Sequence, residues 1–344
     1  MYNLRNYQSD AREKAYSMIA NGKKRILIWM PTGSGKGLSM ADFANEVASV
    51  GKATTTVMRR RELIFQTQKN YKKYRSINAS VIMGNSKGYE YGNKNQVCSI
   101  DTIRTRMLMP DYQYLTASRL FIIDECHDTN SPTYQRMFQW IEKHNPDAIF
   151  LGFTATPFTV GGKPLDFWED YIQPLTLSDA RENGWLVPVL EYAVPAKIET
   201  GGLGISAGDF KESDLFSRAS DSVIVGDIVQ TWLKWGENRP TMMFCVNKEH
   251  SMLMTAAFNM KGIPCIHIDE STTSSEREAA LDGLKKGRYK IISNIETMTT
   301  GVDCPIVSCI ISARPTWSEV LHCQSIGRGL RPYKICADCG FEYG

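Results

Sequence analysis

The sequence predicts an α/β protein of two domains, each a mostly parallel sheet with helices on both faces. Three observations carry that expectation. Residues 25–29, Arg-Ile-Leu-Ile-Trp, form a short apolar run rich in strand formers; a glycine-rich turn follows, and then Leu38, Met40, Ala41, Phe43, Ala44 and Val47 recur at helical spacing. Similar short apolar runs at 53–58, 97–100, 120–123, 149–153, 241–246 and 291–294 are separated by helical stretches, the alternation that builds parallel sheets. At 344 residues the chain is long enough for two sizeable cores.

Charged residues at 22% and hydrophobic ones at 42% exclude global disorder. A net charge of +3 is too small to establish a polyanionic partner, so basic clusters are judged locally. The opening residues show no apolar signal region, and no run approaches the length of a membrane span. Nine cysteines of mixed spacing, several inside apolar runs, fit reduced thiols in a cytoplasmic protein, where ATP is available.

In chain order, Leu4-Arg5-Asn6-Tyr7-Gln8 leads into a helix through Ala15 and Ile19. The Gln8 amide offers a donor and an acceptor to an adenine edge, or it solvates a helix start. Thr32, Gly33, Ser34, Gly35, Lys36, Gly37 and Leu38 then join strand to helix. Glycines let such a turn aim its N–H groups at phosphate oxygens, the helix N-terminus adds a favourable dipole, and Lys36 reaches the β- and γ-phosphates. A hydroxyl is expected after that lysine, to bind Mg2+, and Gly37 stands there instead. Ser39 is a poor substitute, being about 200° further round the helix, so water is expected to fill the place.

The run at 53–58 ends in Arg59, Arg60 and Arg61, with Lys69, Lys72, Lys73 and Arg75 beyond, and the run at 97–100 is followed by Thr102 and Arg104. These groups suit a nucleic-acid backbone or simply solvate helix starts. Residues 120–123 are the most apolar run of this half and lead into Asp124-Glu125-Cys126-His127. An acidic pair at the carboxyl end of a buried parallel strand suits Mg2+ binding by Asp124 and water activation by Glu125; the plainer alternative is a helix N-cap pair. Thr154-Ala155-Thr156 closes the next run. Residues 201–208 are glycine-dense and read as a linker or loop, and Trp232, Leu233 and Trp235 read as core.

Gln8, Gly-Ser-Gly-Lys at 33–36, Asp-Glu-Cys-His at 124–127 and Thr-Ala-Thr at 154–156, in that order, resemble the first motor domain of a superfamily 2 helicase. Residues 241–246 resemble the strand opening the second motor domain, 296–305 the fifth motif and 324–332, with its QxxGRxxR pattern, the sixth. The opening at 4–8, the segment 184–188 and the later 209–210 and 213–215 resemble RadD-like DNA-repair helicases of bacteria and phages. Cys336 and Cys339 are similar to the first half of the zinc module those proteins carry, and no second CxxC follows.

The resemblance implies two RecA-like domains at 1–174 and 175–333 with a cleft between them, the interdomain connection at the start of the second, and a CxxC tail at 334–344. It implies an ATP-dependent helicase or translocase, with DNA favoured, acting in repair, recombination or replication. ATP and Mg2+ would be the cofactors, with Asp124 on the metal and Cys336 and Cys339 as half of a Zn2+ site. Arg5, Gln8, Thr32, Gly33, Ser34, Gly35, Lys36, Gly37, Leu38, Gly301 and Asp303 would hold the nucleotide. Lys36, Asp124, Glu125 and Gln324 would carry hydrolysis, with Arg328 and Arg331 as fingers on the γ-phosphate. His127, Thr154 and Thr156 would couple that chemistry to the track. Arg59, Arg60, Arg61, Thr102, Arg104, Thr299 and Thr300 would touch single-stranded or forked nucleic acid. The expected setting is the cytoplasm of a bacterium or phage-infected host, as a monomeric motor with a single-strand-binding or repair protein partner and no membrane contact. Rival readings are a nucleotide-gated clamp with weak turnover, an RNA helicase, and the motor subunit of a restriction or defence assembly.

Overall fold

Apolar runs of four to six residues between turn signals become strands here because helices cover both of their faces. The protein is described by a computed structural model over residues 2–84, 93–159, 162–196, 198–206, 209–295, 304–335 and 342–343. The chain divides into two units, Met1–Ala180 and Arg181–Gly344. In chain order the first contains α1 (Asn6–Ala20), β1 (Arg25–Trp29), α2 (Lys36–Ser49), β2 (Thr54–Met58), α3 (Arg61–Arg75), β3 (Ser80–Ile82), β4 (Asn95–Ser99), α4 (Ile100–Arg106), β5 (Leu120–Asp124), α5 (Pro132–His144), β6 (Ile149–Thr154) and β7 (Asp170–Ile172). A short α6 (Leu177–Glu182) runs across the division.

The first sheet has seven strands in the order β3-β4-β2-β5-β6-β1-β7, and all its pairings are parallel. Side chains alternate between faces, as strand geometry requires. Leu27, Val57, Phe121, Ile123 and Phe150 share one core with Tyr134, Met137, Phe138 and Ile141 of α5 and with Trp168. On α2, Phe43 meets Phe153 of β6 edge to face, with 6.2 Å between ring centroids. Asp42 of α2 and Arg75 of α3 form a buried ion pair at 2.6 Å that pins the two helices together.

Gly152 in β6 makes room for a close approach: a Cβ there would lie 2.5 Å from the Trp168 ring and 2.9 Å from Cys126 Sγ. The indole roofs over the turn that leaves β5, and its Nε1 donates to Thr129 Oγ1 at 3.3 Å.

The second unit contains β8 (Ile205–Ser206), inside the stretch 201–208 expected as a glycine-rich loop, paired antiparallel with β9 (Asp209–Phe210) just after it. Then come α7 (Glu212–Ala219), α8 (Ser222–Trp235), β10 (Thr241–Phe244), α9 (Lys248–Met260), β11 (Cys265–Ile268), α10 (Ser274–Lys285), β12 (Ile291–Asn294), β13 (Cys309–Ser312) and α11 (Glu319–Ile326). Its sheet is parallel with order β11-β12-β10-β13. Met243 and Ile291 pack with Ile228, Trp232 and Phe258 on one face; Met242, Phe244, Ile268 and Ile292 pack with Ala280 and Leu284 on the other.

The tryptophan cluster divides. Trp232 is core, but Leu233 and Trp235 turn outward at the end of α8, and Trp235 stacks on Tyr192 at 4.7 Å. The described cysteines are free thiols. Among the described residues no helix is long and apolar enough to cross a membrane.

Gly152→Ala should destabilise the first unit by about 1–3 kcal/mol, because the new methyl must displace the packed indole. Urea denaturation measures this; a loss under about 0.5 kcal/mol would show that Trp168 moves freely.

Candidate nucleotide-binding site

Three adjacent strands, β5, β6 and β1, deliver the acidic pair, the Thr-Ala-Thr segment and the glycine-rich loop to one edge of the sheet. Their register sets Trp29 opposite Thr154 and Phe153 opposite Asp124, so the three segments leave the sheet level with one another. The carboxyl edge of an open parallel sheet is where such folds bind ligands.

In the loop, Gly33 and Gly35 have φ of 86° and 84°, a left-handed backbone that glycine adopts without strain. Gly35 has a second reason to lack a side chain, since a Cβ would lie 2.8 Å from Gln8 Nε2. Gln8 is buried, and its Nε2 donates to the carbonyl of Gly35 at 3.1 Å and toward that of Ser34 at 3.4 Å. Its Oε1 accepts from the Arg5 N–H at 2.9 Å, completing a capping box on α1. The Tyr7 hydroxyl donates to Ser34 O at 2.6 Å, and Ser34 Oγ donates to Pro31 O at 2.7 Å. Both ends of the Gln8 amide are thus engaged in this structure, and it ties the start of α1 to the loop backbone.

Lys36 is the first residue of α2, half-buried, where helix N–H groups lack intrahelical partners. Thr32, Gly37 and Leu38 are half-buried beside it. A Cβ on Gly37 would come 3.2 Å from Asn70 Nδ2 on α3, so the position that lacks a hydroxyl faces another polar group.

Asp124 ends β5 at 8% exposure, and its Oδ1 is buried with no hydrogen-bond partner among the described residues. Burial, and next the charge of Glu125, push its carboxyl up to about 7 against the pull of Lys36. Glu125 takes φ 47°, an uncommon backbone for a residue with a side chain, and turns the chain sharply out of the strand. His127 Nδ1 lies 3.4 Å from Glu125 Oε2 and 3.5 Å from Thr154 Oγ1. Burial lowers the His127 pKa, but hydrogen bonding to Glu125 and the charges of Glu125 and Asp128 outweigh it, and the net shift is upward. Thr154 Oγ1 donates to Thr156 O at 2.9 Å, and Trp29 Nε1 donates to Ala155 O at 2.9 Å, which ties the loop strand to the Thr-Ala-Thr segment. Two carboxylates beside one lysine, one with a buried oxygen that has no partner among the described residues, make a hard-oxygen donor set that fits Mg2+.

The basic residues leave the same edge from β2 and β4, on the far side of β5 from the loop. Arg59 has 64% of its side chain exposed, and its guanidinium pairs with Asp128, four residues past Asp124. Arg60 is the N-cap of α3, and the Arg61 guanidinium lies 5.8 Å from the Phe65 ring centroid. Arg104 is exposed, whereas Thr102 is buried with its Oγ1 accepting from Gly84 N at 2.9 Å. In the second unit, Gln324 is buried on α11, and Arg328 and Arg331 follow that helix half-buried. Thr299, Thr300, Gly301, Asp303, Cys336 and Cys339 lie outside the described residues. Residue chemistry alone does not single out Tyr7, Trp29, Asn70 or Asp128; the one sequence signal is adjacency, Tyr7 to Gln8 and Asp128 to His127.

Residues 1–159 match the family described as Type III restriction enzyme, res subunit, and residues 225–332 match the Helicase conserved C-terminal domain. The chain is 27% identical over 306 residues to a 51.5 kDa protein of a Lactococcus phage, covering 89% of this chain and 62% of that one. It is 28% identical over 345 residues to the putative mitochondrial ATP-dependent helicase irc3 of Schizosaccharomyces pombe, covering 98% and 56%. It therefore spans less than two thirds of these relatives. Among solved structures, the Pyrococcus furiosus Hef helicase domain superposes with a TM-score of 0.58 at 15% identity, covering 94% of this chain and 92% of that one. The Type ISP restriction-modification enzyme LlaBIII, solved bound to DNA, gives 0.66 at 15% identity, covering 97% and 27%. The fold is a pair of RecA-like α/β domains. Both helicase-family segments are present and in order, and with these relatives they support a superfamily 2 helicase.

Gln8→Ala should weaken nucleotide affinity roughly five-fold or more, since about 1 kcal/mol per lost hydrogen bond no longer holds the loop. Titration with a fluorescent ADP analogue checks this; unchanged affinity would show that the loop keeps its shape without the tether.

Proposed function

We propose that this chain is the motor of an ATP-dependent helicase or translocase acting on nucleic acid, with DNA the favoured track. The observation that carries the proposal is the common level at which β1, β5 and β6 present the glycine-rich loop, Asp124 with Glu125, and Thr154. The helicase-family matches support it, and RadD-like sequence features are the ground for favouring DNA and a role in repair, recombination or replication.

In this reading the loop backbone and Lys36 grip the β- and γ-phosphates of ATP, and Gln8 and Tyr7 hold the loop in shape from behind. Asp124 would hold Mg2+, which when bound would neutralise phosphate charge. Glu125 orients the attacking water and takes its proton. Arg328 and Arg331 act on the γ-phosphate as arginine fingers, since a planar fork of donors meets spread negative charge well, and Gln324 positions water or ribose. Arg59, Arg60, Arg61 and Arg104, with Thr299 and Thr300, contact the nucleic-acid backbone. The Arg59–Asp128 pair and the His127–Thr154 contact offer a route from that track to Glu125. Zinc at Cys336 and Cys339 would need further ligands.

A second reading has the same motor working inside a restriction or defence assembly, and the family match over residues 1–159 favours it. ATPase and strand-separation assays on forked DNA, RNA and hybrid duplexes decide among these tracks. ATP binding without nucleic-acid-stimulated turnover would overturn the motor in favour of a clamp.

Glu125→Gln should keep ATP binding and lower stimulated turnover by about 10²-fold or more, because an amide cannot take the water's proton. A variant with unchanged hydrolysis would remove Glu125 from that role. Alanine at 59, 60 and 61 should weaken DNA binding and reduce the magnitude of its log–log salt slope by roughly 0.7–0.9 for each phosphate that is no longer neutralised. An unaltered slope would leave those arginines as solvated groups at a helix start.

A further inference from the structure

Gly37 leaves the nucleotide site short of one oxygen, and α3 brings a candidate to the same place. The pin between Asp42 and Arg75 fixes how α2 and α3 lie together, with Arg75 Nη2 2.6 Å and Nε 2.8 Å from Asp42 Oδ1. Gly37 lies five residues before Asp42, and Asn70 five residues before Arg75. Two helices pinned at one pair and running side by side therefore bring Asn70 opposite Gly37. The 3.2 Å from Asn70 Nδ2 to the Cβ position of Gly37 records that approach.

The neighbour of Asn70 locates this part of α3 against the acidic strand. Tyr71 is fully buried, and its hydroxyl bonds Thr56 Oγ1 at 2.7 Å on β2, the strand beside β5. Burial and, after it, the Asp124 charge raise the Tyr71 pKa, although the Thr56 bond opposes them. Asn70 thus lies against the first turn of α2, one residue before the tyrosine that reaches β2 beside β5; at the end of β5, Asp124 Oδ1 is buried with no hydrogen-bond partner among the described residues.

We propose that Asn70 replaces, from α3, the hydroxyl that is missing at position 37, using its amide oxygen to hold a water of the Mg2+ bound with ATP. This rests on the nucleotide site proposed above. An amide suits that role, since Mg2+ prefers oxygen ligands and keeps several waters, and the side chain offers an uncharged hard oxygen. Rotating the terminal amide by 180° exchanges its nitrogen and oxygen within the same volume. A glycine at 37 then has a positive function, since any larger residue would crowd the amide.

The test uses the full chain and a fluorescent, non-hydrolysable ATP analogue, with its binding followed against Mg2+ concentration and in EDTA. Asn70→Ala should raise the Mg2+ needed for half-maximal binding about ten-fold, the scale of a lost outer-shell ligand. Affinity in EDTA and the thermal midpoint should be unchanged. Asn70→Asp, which keeps an oxygen, should need no more Mg2+ than the unaltered chain. The double variant Gly37→Ser with Asn70→Ala should recover the original Mg2+ dependence. Superimposable Mg2+ curves for Asn70→Ala and the unaltered chain would overturn the assignment. So would equal losses of affinity with and without Mg2+, or a double variant that fails to recover. An unaltered chain that binds no analogue at any Mg2+ concentration would overturn the nucleotide site together with it.

Discussion

In a parallel sheet every strand leaves by the same edge, and the in-register pairing of β5, β6 and β1 brings Asp124, Thr154 and Trp29 to that edge side by side. Everything proposed for the first unit depends on this geometry. The loop after Trp29 needs two left-handed glycines to turn into α2, and it is held from outside by Tyr7 and Gln8 of α1. The turn after Asp124 needs Glu125 in a strained backbone conformation, with Trp168 and Cys126 packed over Gly152 beneath it. Folding energy from the aromatic core around α5 therefore offsets local strain at the edge proposed to bind nucleotide.

Electrostatics follow from the same arrangement. Burial, and next the charge of Glu125, push the Asp124 carboxyl up to about 7 against the pull of Lys36. Such a site is poised for a divalent cation, whose charge would restore the ionised form of the carboxyl. On the outer side, Arg59 is bound to Asp128 at the end of the acidic turn. On the proposed reading, a nucleic-acid phosphate would compete with Asp128 for that guanidinium.

Much of this is legible in the sequence. The loop at 33–36 and the acidic pair at 124–125 carry chemistry in their residue types and lie where apolar runs end, so their places on strand ends are readable. The two-unit α/β fold follows from alternating apolar runs and helical spacing. What cannot be read depends on distant packing. The contacts Gln8 makes to the Arg5 N–H and to the loop carbonyls are of this kind. So is the bond that the Thr102 hydroxyl accepts from Gly84 N. Trp235 has the composition of a core residue and lies against Tyr192 at the surface, because only one side of the last turn of α8 meets the sheet. Asn70 opposite Gly37 depends on how two helices are pinned through residues 33 apart in sequence, which no local pattern encodes.

The central claim is that the edge formed by β1, β6 and β5 is an ATP site. A crystal structure of the chain with Mg2+ and a non-hydrolysable ATP analogue tests it most directly. The account predicts β- and γ-phosphates within hydrogen-bonding distance of the backbone N–H groups at 33–36 and of Lys36 Nζ, with the metal on the Asp124 side. Phosphates bound elsewhere, or a metal with no oxygen of Asp124 in its first or second coordination shell, would contradict it.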